Sequence, residues 1–132
     1  MIYKNLDYKN YYDLSVVAIS ANSTFDTNRF HLLKNALGSN NFELITTAHN
    51  RIPIAYVIWA KVSAESYEQF TSHGLLPRYD YEWMEGDKMI IIDIAIAKNW
   101  SRTAIPLLKK FFKKQREFSF KRNGRIRTFK NH

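Results

Sequence analysis

The chain predicts one mixed α/β, or α+β, domain: a mostly antiparallel sheet flanked by helices. Three observations carry that expectation. The 132 residues suffice for one ordinary core, and 45% of them are hydrophobic and 15% aromatic, which suits a packed globule. Helical and strand-like periodicities alternate along the whole length, with no repeat and no linker. Turn and cap signals fall at the joins between them.

In order, Leu6–Ala21 places Leu6, Tyr11 or Tyr12, Leu14 and Val17 near helical spacing. Asp26 and Thr27 can cap a second helix carrying Phe30, Leu33 and Leu37, with Gly38 as its expected stop. Phe42–Thr47 and Ile54–Val62 read as an antiparallel hairpin around His49-Asn50-Arg51. Ser63 caps a short helix that holds Glu65 in its first turn and ends at Gly74. Residues 75–87 form an irregular connection, and Lys88–Ala97, with its run of isoleucines, reads as a strand buried on both faces. Thr103–Gln115 is helical, with Pro106 tolerated in the first turn. Glu117–Arg122 and Arg125–Lys130 flank Asn123-Gly124, a strong two-residue hairpin turn.

Charge is unevenly distributed. Residues 98–132 hold twelve Lys/Arg and one acid, Glu117, whereas residues 1–97 hold eight Lys/Arg and eleven acids. A near-neutral body with a basic C-terminal third suggests an acidic partner at that end, and the alternative is a solvated basic face. The absence of cysteine excludes disulfides, thiol catalysis and thiolate metal sites. No apolar run approaches a membrane span and the N-terminus has no signal-peptide core, so the expected location is the cytoplasm. Neither a phosphate-binding Gly-rich loop nor a metal-ligand spacing is present.

Asp93 stands alone inside the apolar strand, with Met89, Ile91 and Ala95 expected on its face. A carboxylate there needs a cation or hydrogen-bond donors, and it serves either as a proton-handling group or as a structurally satisfied acid. His31, beside Phe30 and Leu33, reads first as a partly buried structural histidine. The last hairpin places Phe118 opposite Phe129, Phe120 opposite Arg127, and Arg122 opposite Arg125. One face then carries three phenylalanines and three arginines, a pattern that serves either a core with a basic rim or a stacking surface for nucleic acid.

Two motifs resemble those of the hemolysin-activating, or RTX-toxin-activating, lysine acyltransferase family. Pro53, Ala55, Tyr56, Trp59, Ala60 and Ser63 match the first; Trp83, Gly86, Asp87, Asp93, Ile94 and Ala95 match the second. A phenylalanine in the following helix, Phe111 or Phe112, also agrees. The resemblance implies a fold like that of the GNAT acetyltransferases and acyl transfer from acyl carrier protein to toxin lysines, with Asp93 in the catalytic position. The family's N-terminal catalytic histidine has no counterpart in Ser20–Phe25, and Ala95-Ile96-Ala97-Lys98 replaces its Ala-Pro-Phe-Gly.

Two functions follow as expectations. The first is a toxin-binding descendant acting without turnover, as an immunity protein against a cognate toxin of the contact-dependent inhibition type. The second is an active lysine acyltransferase using Asp93, with His31 as a substitute base. Neither requires a bound cofactor, and acyl carrier protein is the donor in the second. Lys109, Lys110, Lys113, Lys114, Arg122, Arg125 and Arg127 are the expected partner-binding residues. A homodimer is open, and nucleic-acid binding ranks last.

Overall fold

The computed structural model describes residues 4–22, 26–77 and 80–131. Helices α1 (Lys4–Asn22) and α2 (Thr27–Ser39) lead into strands β1 (Phe42–Thr46) and β2 (Pro53–Val62). Helix α3 (Ala64–His73), a 3-10 turn over Asp80–Trp83 and strand β3 (Lys88–Ile96) follow. Helix α4 (Ser101–Lys113) and strands β4 (Glu117–Arg122) and β5 (Arg125–Lys130) complete the chain. The expected α+β architecture is present, and the expected order of helices and strands is reproduced.

The five strands lie in sequence order, β1 to β5, all antiparallel except the β3–β4 pair. A parallel pair cannot be joined by a tight turn, so α4 crosses over between β3 and β4. Helices α1, α2 and α3 cover one face, where Leu14, Val17, Leu33, Phe70 and Trp83 pack on Tyr56, Ile58, Ile90 and Ala95. Helix α4 covers the other, with Ala104 and Leu108 on Ile54, Val57, Met89, Ile91 and Phe118. Covering both faces explains why β2 is apolar almost throughout, with Ile54 through Ile58 fully buried.

Local rules explain the boundaries. The Asp26 carboxylate accepts the Arg29 N–H and caps α2, and the Ser63 hydroxyl accepts the Ser66 N–H and caps α3. Gly74 ends α3 at a φ of 69°. Gly38, expected to stop α2, lies inside it; the left-handed residue is Asn40, whose N–H reaches Ala36 O and Leu37 O. Asparagine tolerates that conformation at modest cost, so the glycine two residues earlier misleads. Helix α4 starts at Ser101 rather than Thr103, which puts Pro106 beyond its first turn. The Arg102 carbonyl therefore lacks its helical donor.

Strand β3 departs from simple alternation. Ile58 pairs with Asp93 but Trp59 pairs with Ile91, so β3 bulges by one residue at Ile92. A bulge moves every later side chain to the opposite face. Asp93 accordingly leaves the face of Met89 and Ile91, where alternation placed it, and joins Ile58 and Ala95 on the α1–α2 side. Beyond the bulge Ile94 is half-exposed, so β3 is buried on both faces only in its first half.

Candidate functional site: an arginine–tyrosine–aspartate cluster

The bulge aims Asp93 at the diagonal neighbour on β2, Tyr56, and at the first turn of α2, which supplies Arg29. The Arg29 Nη1 donates to the Tyr56 hydroxyl at 2.8 Å and also to Asp93 Oδ2. The Tyr56 hydroxyl in turn donates to the same Asp93 oxygen at 2.6 Å. The tyrosine is fully buried, whereas the Arg29 and Asp93 side chains each keep 21% exposure. The cluster therefore has a rigid floor and a mouth open to solvent.

Burial raises the Asp93 carboxyl above the ordinary aspartate range; donation from Tyr56 and the charge of Arg29 oppose that rise without cancelling it. Burial also pushes the Tyr56 hydroxyl far upward, and the neighbouring carboxylate pushes it further, so it remains a donor at any ordinary pH. For Arg29, burial disfavours the cation, but Asp93, Tyr56 and Asp26 together outweigh it and the guanidinium stays charged. The result is a partly accessible carboxylate gripped by one fixed cation and one fixed donor. Such a group can hold a cationic or hydrogen-bonding moiety, or take up a proton.

The other expected site residues are distributed away from this cluster. His31 lies two residues beyond Arg29, on the outer side of α2; it is exposed, not partly buried, and its ring meets Phe30 edge-on at 5.6 Å. Asp93 is bonded to Arg29 and Tyr56, not to His31. His49 and His73 are likewise exposed, and His132 and residues 23–25 of the Ser20–Phe25 stretch lie outside the described residues. Lys109, Lys110, Lys113 and Lys114 are exposed at the C-terminal end of α4, on the face of the sheet opposite Asp93. Arg122, Arg125 and Arg127 are exposed on the last hairpin.

The motif residues divide by role. Trp83 is buried, its carbonyl accepts the Asn41 side-chain amide at 2.8 Å, and its indole N–H donates to Pro77 O at 3.4 Å. Gly86 lies so close to β2 that an added Cβ would stand 2.1 Å from the Val62 carbonyl oxygen. Trp59 packs on Phe111 with ring centroids 5.2 Å apart, Pro53 opens β2 opposite Thr46, and Asp87 is exposed. These residues, Asp87 apart, hold the loop and the sheet together.

Arg29 is the member of the cluster that the sequence reading overlooked. Its signal was present: Arg29, Leu33 and Ala36 fall at intervals of four and three, and the latter two are fully buried. A cation prolonging the buried stripe of α2 demands an acid beneath it, and Asp93 is the lone acid of the central strand β3.

Comparison with known proteins adds one finding. The HlyC family, described as the RTX toxin acyltransferase family, matches residues 20–130. No curated protein matches the chain. That span covers most of the chain and includes all five strands together with Arg29, Tyr56 and Asp93, so the protein belongs to the RTX toxin acyltransferase family.

Proposed function

We propose that this family member captures a bacterial toxin polypeptide without acylating it and neutralises that toxin as an immunity protein. The observation that supports the reading is the engagement of Asp93. Its carboxylate is gripped by Arg29 and Tyr56, and His31 faces solvent on the far side of α2. Acyl transfer to a lysine amine needs a group that takes the amine proton near neutral pH, and losing such a base costs roughly a hundredfold or more in rate. Neither a permanently charged guanidinium nor a strongly raised phenol supplies one.

A second reading, active acyl transfer from acyl carrier protein, is favoured by one specific feature. The Asp93 carboxyl is raised and a fifth exposed, so it can receive a proton from solvent or substrate. As the lysine nitrogen bonds to the thioester carbonyl carbon, Asp93 would take the amine proton; the carbon–sulfur bond would break, and the thiolate would leave.

A single-turnover experiment separates the two. The protein is mixed with stoichiometric acyl-loaded acyl carrier protein, and loss of the thioester is followed by mass spectrometry. Capture without turnover expects the thioester to persist for wild type and Asp93→Asn alike. It also expects co-expression to restore growth to cells making the bound polypeptide. Discharge that Asp93→Asn abolishes would overturn it in favour of catalysis.

A further inference from the structure

On the β4–β5 hairpin, the three arginines expected to meet a partner share a face with stacked aromatic rings. Strand pairing places Phe118 opposite Phe129, Phe120 opposite Arg127, and Arg122 opposite Arg125, so all six side chains share one face. The rings form a stack: Phe120 and Phe129 lie 5.5 Å apart at 12°, and Phe118 and Phe129 lie 5.6 Å apart at 17°. The inner end of the stack is buried at Phe118, against Phe112 at 5.0 Å. Its outer end is open, with Phe129 48% exposed on the edge strand.

Beside that open end lies a hollow of about 520 Å³ lined by Arg122, Asn123, Arg125 and Arg127. Among the described residues none of these arginines has a carboxylate partner. The hairpin's one acid, Glu117, sits at the other end of the ladder, 3.6 Å from Lys130. Three uncompensated guanidiniums around a concave surface attract anions, and their flat forks suit phosphate oxygens. An exposed aromatic ring adjoining them is a different signal, because generic basic surfaces carry no stacking platform.

We propose that this face binds single-stranded nucleic acid, with phosphates in the arginine hollow and a base stacked on the Phe120–Phe129 platform. An acidic polypeptide would meet the same charges but would leave the rings unused. A polypeptide adding to the free edge of β5 would use main-chain groups, not this side-chain face. Duplex DNA keeps its bases stacked on one another, so it cannot use the platform without melting. The basic C-terminal third, with twelve Lys/Arg against one acid, supplies the long-range attraction. The inference does not rest on toxin capture and survives its failure.

The test uses the full chain and a labelled oligothymidylate of about 15 nucleotides, on the scale of single-strand binding sites, followed by fluorescence anisotropy. Affinity is expected to fall with salt on a log–log slope of about −2, as for three neutralised phosphates at ~0.7 each. Changing Arg122, Arg125 and Arg127 together to Gln should abolish measurable binding. Phe129→Leu keeps an apolar side chain and should weaken binding about tenfold at fixed salt, leaving the slope unchanged. Removing three charges elsewhere, as Lys9→Gln, Lys34→Gln and Arg51→Gln together, should change affinity less than about threefold, as expected of long-range attraction alone. Circular dichroism and thermal melting establish that each variant is folded.

No binding at low salt would overturn the proposal. So would equal affinity for a duplex of the same length, or full competition by polyglutamate with Phe129→Leu unchanged; either would reduce the face to a generic electrostatic surface.

Discussion

Burial disfavours ionised Asp93 more than Tyr56 and Arg29 favour it, so substitutions of Asp93 and of Arg29 should have opposite signatures. Because its carboxyl is raised in the fold, its contribution to stability is fully present below the ordinary aspartate pKa and is lost as pH rises through the raised value. Asp93→Asn imitates the protonated form, so at neutral pH it should melt at or above the wild-type temperature. Arg29→Gln removes the cation and leaves the carboxylate uncompensated. It should destabilise by roughly 1–3 kcal/mol, below the usual range for a broken buried pair because the site is partly open. Thermal denaturation of both variants at neutral pH checks the pair of signs; a fall for Asp93→Asn as large as that for Arg29→Gln would refute this account.

The same balance can be followed directly at the carboxyl. Carbon-13 NMR titration should place Asp93 above the ordinary aspartate range, and Tyr56→Phe should raise it further by deleting a donor to the charged form. A downward move in Tyr56→Phe would show that the phenol does not hold the carboxylate. A residue whose neutral substitute is the more stable one is retained for a reason other than folding, which is how binding and catalytic groups behave.

Two glycines divide the element-scale constraints. Gly86 has no positive φ, and its requirement is space: the Val62 carbonyl carbon and oxygen and the Ser63 nitrogen all lie within 2.7 Å of where a Cβ would go. Main-chain atoms cannot rotate aside, so Gly86→Ala should cost roughly 2–4 kcal/mol in urea unfolding and loosen the Trp83 loop. At Gly124 the reverse holds, with nothing near the absent Cβ and a φ of 75°. There Gly124→Ala should cost only about 1 kcal/mol, all of it conformational. Equal effects at the two positions would contradict the distinction between close approach and backbone strain.

Which elements the sequence made legible follows from how local their causes are. The β4–β5 hairpin, its Asn123-Gly124 turn and its register all lie where local rules place them, since two residues with positive φ decide the turn. Asp26 and Ser63 were likewise readable as caps. The face of Asp93 was not, because one extra residue at Ile92 inverts it and nothing in an isoleucine run marks where a bulge falls. The stop of α2 slid from Gly38 to Asn40 for a related reason, each residue being able to adopt the left-handed conformation. The cluster itself joins residues 29, 56 and 93 across three elements, and only its last member stood out as a lone charge.

At the scale of the whole molecule, the sheet places two chemically different regions on opposite faces. The Arg29–Tyr56–Asp93 cluster belongs to the side covered by α1, α2 and α3; the basic α4 end and the arginine hollow belong to the other. No helix among the described residues is long and apolar enough to cross a membrane. Stability should follow the same division. Ile54 through Ile58 of β2 are fully buried between two helical layers, whereas β5 is an edge strand exposed at every residue but Ile126.

Amide exchange reports local opening, which is easiest where few apolar contacts must be broken. Hydrogen exchange at neutral pH should therefore find β2 and the first half of β3 slowest, approaching the global unfolding limit, and β5 fastest among the strands. Gly124→Ala destabilises a turn that is open in both the local and the global event, so it should speed exchange in the hairpin and in β2 alike. Gly86→Ala acts at the end of β2, outside the hairpin, so it should speed exchange in β2 and the first half of β3 while leaving unchanged β5, whose local opening does not disturb that site. Should both substitutions accelerate all strands equally, the hairpin and the central sheet would form one cooperative unit, and the independence assigned here to the C-terminal face would be lost.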